Sequence, residues 1–560
     1  MSSIARSVRQ HPSIWFYSCW LLVNLVQAAG TELLNDEAYY WVYSKYLDWG
    51  YFDHPPMIAV LIKLGYSIFH NELGVRLFMA LMNTATIFII QKLLLRDNER
   101  LFFAIVLSMG VLQIGGILAV PDIPLAFFTA LFFWQYKRFL QNTDLLQSVL
   151  LGVVMALMLY SKYHGILIIF FTFISNRKLA LQWPAWLAAI IGALLFSPHL
   201  WWQFTHDFPS VQYHLKERNA PSYQFAFTLE YIGGQILLAG PLIGWLLLYA
   251  AGKFRTSDPF ARALKWSMAG FYGFFLVSTL KGRVEANWTV PALVPLIILA
   301  HAWLSDSGIL VRWVYRLMSP TILIIVIVRI YMLTDISFFT SRFNDEMHHN
   351  RSWAAAIREK ANGLPVVFLN SYQRPSKYWF YTCDASFGLN TTMYRRNNYN
   401  FWPIEEKFQG RQVFVVDNLV ANEVRSIPII TDRGNTAGIV AEHFESHSAL
   451  RFQSALPSLE IENEKLVPFP LTIYPDTLGQ ALLNPSSPGH VTAVLDIFMG
   501  DSLMARVEPE FTRTGGQWEC SFSKKIALEN GSYRAKIGLA SSLPGFFSQN
   551  SASLPIKVIK

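Results

Sequence analysis

Charge is scarce in this chain. Only 15% of its 560 residues are Asp, Glu, Lys or Arg, against about 25% in soluble globular proteins, and that deficit argues against an ordinary cytosolic enzyme. Cysteine is scarcer still: Cys19, Cys383 and Cys520 lie far apart, with no CxxC or Cys/His spacing to build a zinc site or a disulfide framework. The sequence also lacks a P-loop, an internal repeat and a low-complexity segment. What it has in excess is apolar surface, with 53% hydrophobic and 15% aromatic residues and a mean hydropathy of +0.30. Because roughly the last two hundred residues read as soluble sequence, the excess is concentrated before them, as in a multi-spanning membrane protein. A net charge of +8 would suit nucleic acid, but the basic residues fall in short clusters between apolar runs, as the loops of membrane proteins do. Nucleic acid is therefore discounted as a partner.

A hydrocarbon core of about 30 Å needs roughly 20 apolar helical residues. Candidate runs fall at about 14–30, 75–95, 101–120, 124–140, 146–160, 164–176, 183–204, 229–251, 264–280, 288–304 and 317–334, or about eleven transmembrane helices. The stretch Pro55 to Phe69 is apolar but short and carries Lys63, so it reads as an interfacial helix. Basic residues cluster at alternate connections: Arg6 and Arg9; Lys92, Arg96 and Arg100; Lys137 and Arg138; Arg177 and Lys178; Lys253, Arg255, Arg262 and Lys265; Arg312 and Arg316. The positive-inside rule puts these connections and the N-terminus in the cytoplasm, and the other connections outside with everything after Thr334. The first apolar run is followed by no small-residue cleavage site and reads as a retained anchor.

The expected domains are 1–334, a transmembrane catalytic domain; 335–428, a small α/β domain; and 429–560, a β-rich domain. The α/β unit is suggested by WAAAIREKA and the apolar runs Val366 to Leu369 and Val413 to Val416. Short runs rich in Val, Ile and Phe (FPLTIY, HVTAVLDIF, YRAKIGL, PIKVIK), separated by Gly, Pro, Asn and Ser, suggest a β-sandwich-like end.

The polar residues that look chemical all belong to the outward set. Asp36 and Glu37, in NDEAYYW just past the first span, form an adjacent carboxylate pair that is costly to desolvate. Such a pair supplies either a general base or, with Asn35, a helix cap. In YFDHPPM two prolines hold Asp53 and His54 on a stiff turn. Asp122 lies between prolines in VPDIP, as a cap or an acid–base group. Lys162 in YSKYHG, and Lys281 and Arg283 in KGRVEANW, break the charge rule. An outward cation wants an anion, and a lipid phosphate is one candidate, with Arg283 able to fork onto it and Glu285 to orient Arg283 or bind a hydroxyl. Snorkelling cations at a helix end are the plainer alternative.

The segments NDEAYYWVYSKYLDWGYFDHPPM, VPDIPLAFF, YSKYHGIL, HDFPSVQYH, GRVEANW and NSYQRPSKYWFY resemble the bacterial branch of the GT-C membrane glycosyltransferases, the family 39/83 type. This branch is similar to protein O-mannosyltransferases and to the aminoarabinose transferase that modifies lipid A. The resemblance covers roughly residues 12–420. It implies a GT-C fold in a bacterial inner membrane, with the active site and tail in the periplasm. It also implies Asp36 as catalytic base with Glu37 its neighbour, Asp122 as the second-loop acidic residue, and Lys162 and Arg283 holding a carrier phosphate, with His54 beside them. Asp53 and Glu285 are expected to bind the substrate, and Tyr372 and Gln373 match a tail motif that, by the resemblance, folds back over the site. His54 stands where the aminoarabinose branch usually has Lys, a departure from that activity. The reaction so implied is an inverting transfer of a sugar from a polyprenyl-phosphate donor to a hydroxyl of a lipid or glycan acceptor. No cofactor is demanded, and the carboxylates leave room for a divalent cation without a ligand spacing that requires one. A transporter or flippase of lipid-linked sugars is the alternative, although the ionisable residues gather at one face rather than at the midplane. A glycan-joining membrane ligase would lean on outward Arg and His instead of a first-loop carboxylate pair.

Overall fold

The computed structural model describes residues 12–206, 208–213, 222–336, 338, 345–454, 456–462, 464–487, 489–522, 525–529 and 531–559. Arg6 and Arg9 of the first basic cluster, and Asp207 and His214 of the HDFPSVQYH loop, lie outside the described residues. The chain forms two compact units, Met1–His348 and His349–Lys560.

The first unit is helical. Its principal helices are α1 Pro12–Gly30, α2 Asn35–Lys45, α3 Met57–Tyr66, α4 Glu72–Lys92, α5 Glu99–Leu107, α6 Asp122–Gln141, α7 Leu145–Ser161, α8 Gly165–Ser175, α9 Trp183–Thr205, α10 Phe225–Ala239, α11 Gly244–Lys253, α12 Pro259–Ser278, α13 Leu293–Ser305 and α14 Gly308–Leu333. Every expected span falls on one of these helices or on a broken pair. Length and hydropathy together qualify four segments among the described residues to cross a bilayer: α4, α9, α14, and α13 with the 3-10 turn before it. Two bent pairs raise that number to six, short of the eleven read from the sequence.

The breaks have local causes. The 101–120 run bends by 75° between α5 and Gly110–Ile117. There Asn83 Nδ2 of α4 donates to the Leu112 carbonyl at 2.8 Å, and a Cβ on Gly116 would sit 2.2 Å from that same amide. The 229–251 run bends by 92° between α10 and α11, at Gly240, whose φ of +143° excludes ordinary side chains, just before Pro241. Helix α3, with ten residues, rises about 15 Å, half a hydrocarbon core.

Helix α13 is apolar on all sides and buried along nearly its whole length, which places it at the centre of the bundle. Helices α9 and α14 bury only 33% and 22% of their apolar windows, leaving Leu194, Trp201, Leu323 and Ile327 outward. Apolar surface on that scale needs a lipid solvent, and the protein is a multi-pass membrane protein.

The second unit opens with α15 Asn350–Ala361, β1 Val366–Leu369, α16 Gln373–Thr382 and β2 Ser386–Leu389, followed by β3 Arg411–Val416, β4 Ile427–Ile429 and β5 Thr436–Phe444. These strands form one sheet in the order β2-β1-β3-β5-β4, parallel across β2, β1 and β3 and antiparallel beyond. The sheet runs on to Phe444, past the boundary at 428, because β5 buries Ala437 and Phe444 against it. The remaining strands build a seven-stranded and a four-stranded sheet. Leu495, Ile537 and Leu539 of the first meet Leu471, Ile473 and Trp518 of the second in one core, the packing of a β-sandwich.

Candidate active site

The connections assigned outward from charge alone gather at one end of the helical unit, joined by hydrogen bonds. Glu37 Oε1 accepts from the Ala119 amide at 2.7 Å, tying the first loop to the second. Lys162 Nζ lies 2.7 Å from Asp122 Oδ1, and Asn287 Nδ2 donates to Asp122 Oδ2 at 3.0 Å, adding the third and fifth. Ser210 Oγ receives the Tyr163 hydroxyl at 3.0 Å and donates to the Phe52 carbonyl at 2.8 Å, adding the fourth and returning to the first. At the opposite end two of the basic connections meet, where Arg96 pairs with Asp306 at 3.1 Å and His301 Nε2 approaches the Asn98 carbonyl at 2.9 Å.

The two adjacent carboxylates are placed in opposite environments. Helix α2 is capped by Leu34, so Asn35 and Asp36 occupy its first turn rather than its cap, where the amide dipoles favour an anion. Asp36 is exposed. Glu37 is fully buried and forms an ion pair with the equally buried Arg76 of α4 at 2.5 Å. Its Oε1 accepts from Arg76 Nε and the Ala119 amide, both at 2.7 Å, and its Oε2 accepts from Arg76 Nη2 and from the Leu34 amide at 2.9 Å. Arg76 spends its remaining donors on the carbonyls of Ala28, Thr31 and Glu32. The second carboxylate expected beside Asp36 thus has four donors on its two oxygens, and it fastens the first loop to the end of α1, to α4 and to the approach to Asp122. Arg76 was missed in the sequence, where it is the only basic residue in the apolar run LGVRLFMALMNTATIFII, a position that is costly unless paired.

Asp122 begins α6 and Lys162 ends α7, and both are buried. The anion that Lys162 meets is Asp122, and among the described residues that pair leaves two of the three ammonium hydrogens without a protein partner. Arg283 is largely exposed and pairs with Glu230 of α10 at 3.1 Å, whereas Glu285 is half-buried. Exposed pairs of that kind contribute little to stability, about 0–1 kcal/mol. Asp53 is buried and His54 half-buried, the imidazole edge-on to the Tyr40 ring at 5.5 Å. The stiff turn is closed by the Tyr51 amide donating to the His54 carbonyl at 3.1 Å. Tyr372 and Gln373 belong to the second unit. Tyr372 precedes α16, with the Arg395 guanidinium 4.8 Å over its ring and Gln373 Nε2 donating to its hydroxyl at 3.3 Å.

A second polar cluster at the same end also escaped the sequence reading. Trp202 Nε1 donates to Asp48 at 2.7 Å, His199 Nδ1 meets the Trp49 carbonyl at 2.7 Å, and Gln203 reaches Tyr163 and Ser210. It holds the stiff turn against α9. Among the described residues no three His, Cys, Asp or Glu side chains converge as a metal site.

Comparison with known proteins agrees with this architecture. The family described as dolichyl-phosphate-mannose-protein mannosyltransferase matches residues 53–202. The lipid A galacturonosyltransferase RgtD of Rhizobium johnstonii is 25% identical over 303 residues, 51% of this chain and 63% of that protein's length. The crystal structure of ArnT from Cupriavidus metallidurans bound to undecaprenyl phosphate superposes with a TM-score of 0.54 at 14% identity, covering 76% of this chain and 98% of that one. The chain thus shares the GT-C fold and is similar, over part of its length, to glycosyltransferases of the 39/83 type.

Proposed function

We propose that the protein transfers a sugar from a polyprenyl-phosphate donor to a hydroxyl of a lipid or glycan acceptor, with inversion, at the periplasmic face of a bacterial inner membrane. The observation that carries this reading is the single network at one end of the bundle. It holds an exposed carboxylate, Asp36, on the loop fastened to the segment leading into a buried Asp122–Lys162 pair with unspent ammonium donors. Asp36 takes the proton as the acceptor oxygen attacks the anomeric carbon. The bond from that carbon to the carrier phosphate breaks, and its electron pair leaves on the phosphate. Lys162, held in place by Asp122, donates to that oxygen as its charge grows. Glu37 and Arg76 position the loop and touch no reactant in this scheme, while Arg283, Asp53, His54 and Glu285 line the approach. The relatives' names support the reading: one is a lipid A galacturonosyltransferase and the other is bound to undecaprenyl phosphate.

The test is transfer from a polyprenyl-phosphate sugar by the purified chain, with Asp36→Asn as the decisive variant. Asparagine keeps the size but accepts no proton, so turnover falls about 10²- to 10⁴-fold while donor binding survives. Near wild-type transfer by a folded Asp36→Asn variant overturns the assignment. A periplasmic reporter fused to the C-terminus tests the orientation, and activity of a cytoplasmic reporter at the same position overturns it.

A further inference from the structure

On the flank of the helical unit, α1, α5, the short helix Gly110–Gln113 and α14 enclose a cleft of about 440 Å³. Its α1 wall is a continuous helical face of Pro12, Trp15, Phe16, Cys19, Trp20, Val23 and Asn24, spaced three and four apart as one side of a helix requires. From Pro12 to Asn24 this wall runs about 18 Å, a little over half of a hydrocarbon core of about 30 Å and so the reach of one leaflet's lipid tail. The cleft ends at Arg329 of α14, four residues before Leu333 and therefore within about 6 Å of the helix end nearer the candidate site.

Arg329 is more than nine-tenths buried. Its Nη2 donates to Asn24 Oδ1 at 2.6 Å and to the Gln113 carbonyl. Among the described residues its Nε and Nη1 have no partner, and neither do Asn24 Nδ2 and Trp20 Nε1. All four of these atoms are donors. A buried guanidinium with unspent donors is costly, and the unpartnered atoms beside it, being donors themselves, do not relieve it, whereas an anion does. Asp36, Asp122, Lys162 and Arg283 do not line the cleft.

We propose that this cleft is a second lipid site, taking a membrane lipid whose anionic phosphate headgroup sits on Arg329 and whose hydrocarbon tail lies along the apolar face of α1. The inference stands apart from the proposed transfer reaction. Its test is native mass spectrometry of the full chain in detergent with dioleoyl phosphatidylglycerol, dioleoyl phosphatidylcholine or inorganic phosphate. The wild type retains one additional phosphatidylglycerol, retains no additional phosphatidylcholine, and is not competed by inorganic phosphate. Arg329→Gln lowers that retention about tenfold or more, as loss of a charge-assisted contact does, and Arg329→Lys restores part of it. Val23→Trp fills the cleft from its lipid-facing rim while leaving Arg329 in place, and it abolishes retention. If Arg329→Gln does not fold, Val23→Trp decides. Equal retention by the wild type and Val23→Trp, equal retention by a folded Arg329→Gln, or equal retention of the two lipids by the wild type overturns the proposal.

Discussion

Replacing Glu37 by Gln removes one charge and one oxygen from a site with no solvent access. The native carboxylate accepts from Arg76 Nε at 2.7 Å, Arg76 Nη2 at 2.5 Å, the Ala119 amide at 2.7 Å and the Leu34 amide at 2.9 Å. A glutamine oxygen keeps at most two of these, and its amide NH₂ meets donors at the other two. Arg76 then stays buried without its Glu37 counter-charge, still donating to the carbonyls of Ala28, Thr31 and Glu32. Breaking a buried ion pair from one side costs about 3–5 kcal/mol, and losing two hydrogen bonds to charged groups gives about the same. That is about a fifth or more of the stability of a typical domain at about 5–15 kcal/mol. The neighbouring Asp36→Asn, at an exposed position in the first helical turn, should shift stability by at most about 1 kcal/mol while abolishing most turnover. Reversible unfolding of both variants in mixed micelles, beside single-turnover transfer, separates the two carboxylates. Glu37→Gln as stable as wild type, or Asp36→Asn as destabilised as Glu37→Gln, refutes the division of labour.

Lys162→Ala is expected to weaken donor binding by about 10- to 150-fold and to leave Asp122 buried without its cation. A Lys162→Met, Asp122→Asn double variant is then more stable than Lys162→Met alone, and the reverse order in thermal unfolding contradicts a paired site. Arg283→Ala, which breaks an exposed pair, lowers stability by at most about 1 kcal/mol. In an equilibrium binding assay it weakens donor affinity less than Lys162→Ala, and an equal or larger loss returns Arg283 to the phosphate. In the second unit, burial pushes the His447 imidazole below its ordinary value, only partly offset by Glu405 and Glu445. The folded state therefore prefers the neutral ring. Its contribution is intact above the unfolded value of about 6.5 and declines as pH falls below it. His447→Gln should flatten that acid limb in a pH series of unfolding measurements, and an unchanged limb excludes His447 as its source.

What the sequence determined was the solvent and the sorting of the connections. Long apolar runs interrupted by alternating basic clusters follow from the cost of charge in lipid, and the runs fell on helices, with the acidic loops at one end and the basic ones at the other. The short Val-, Ile- and Phe-rich runs such as FPLTIY and YRAKIGL, set apart by turn residues, likewise announced a sandwich, and the motifs around Asp36, Asp122 and Lys162 were legible as a candidate site. Tertiary structure decided which of those groups have unspent capacity. Neighbours in sequence, Asp36 and Glu37 differ because Glu37 is buried against Arg76, thirty-nine positions beyond it, while Asp36 is exposed. Lys162 met Asp122, forty positions away, and Arg283 met Glu230. The bends at Gly240 and around Gly116 were equally hidden, because they depend on a backbone angle and on an approach by Asn83. Hydropathy is summed over a local window and survives in one dimension, whereas a hydrogen bond or an ion pair is a meeting of two distant segments, and only the packed chain specifies which donors and acceptors arrive within three ångströms.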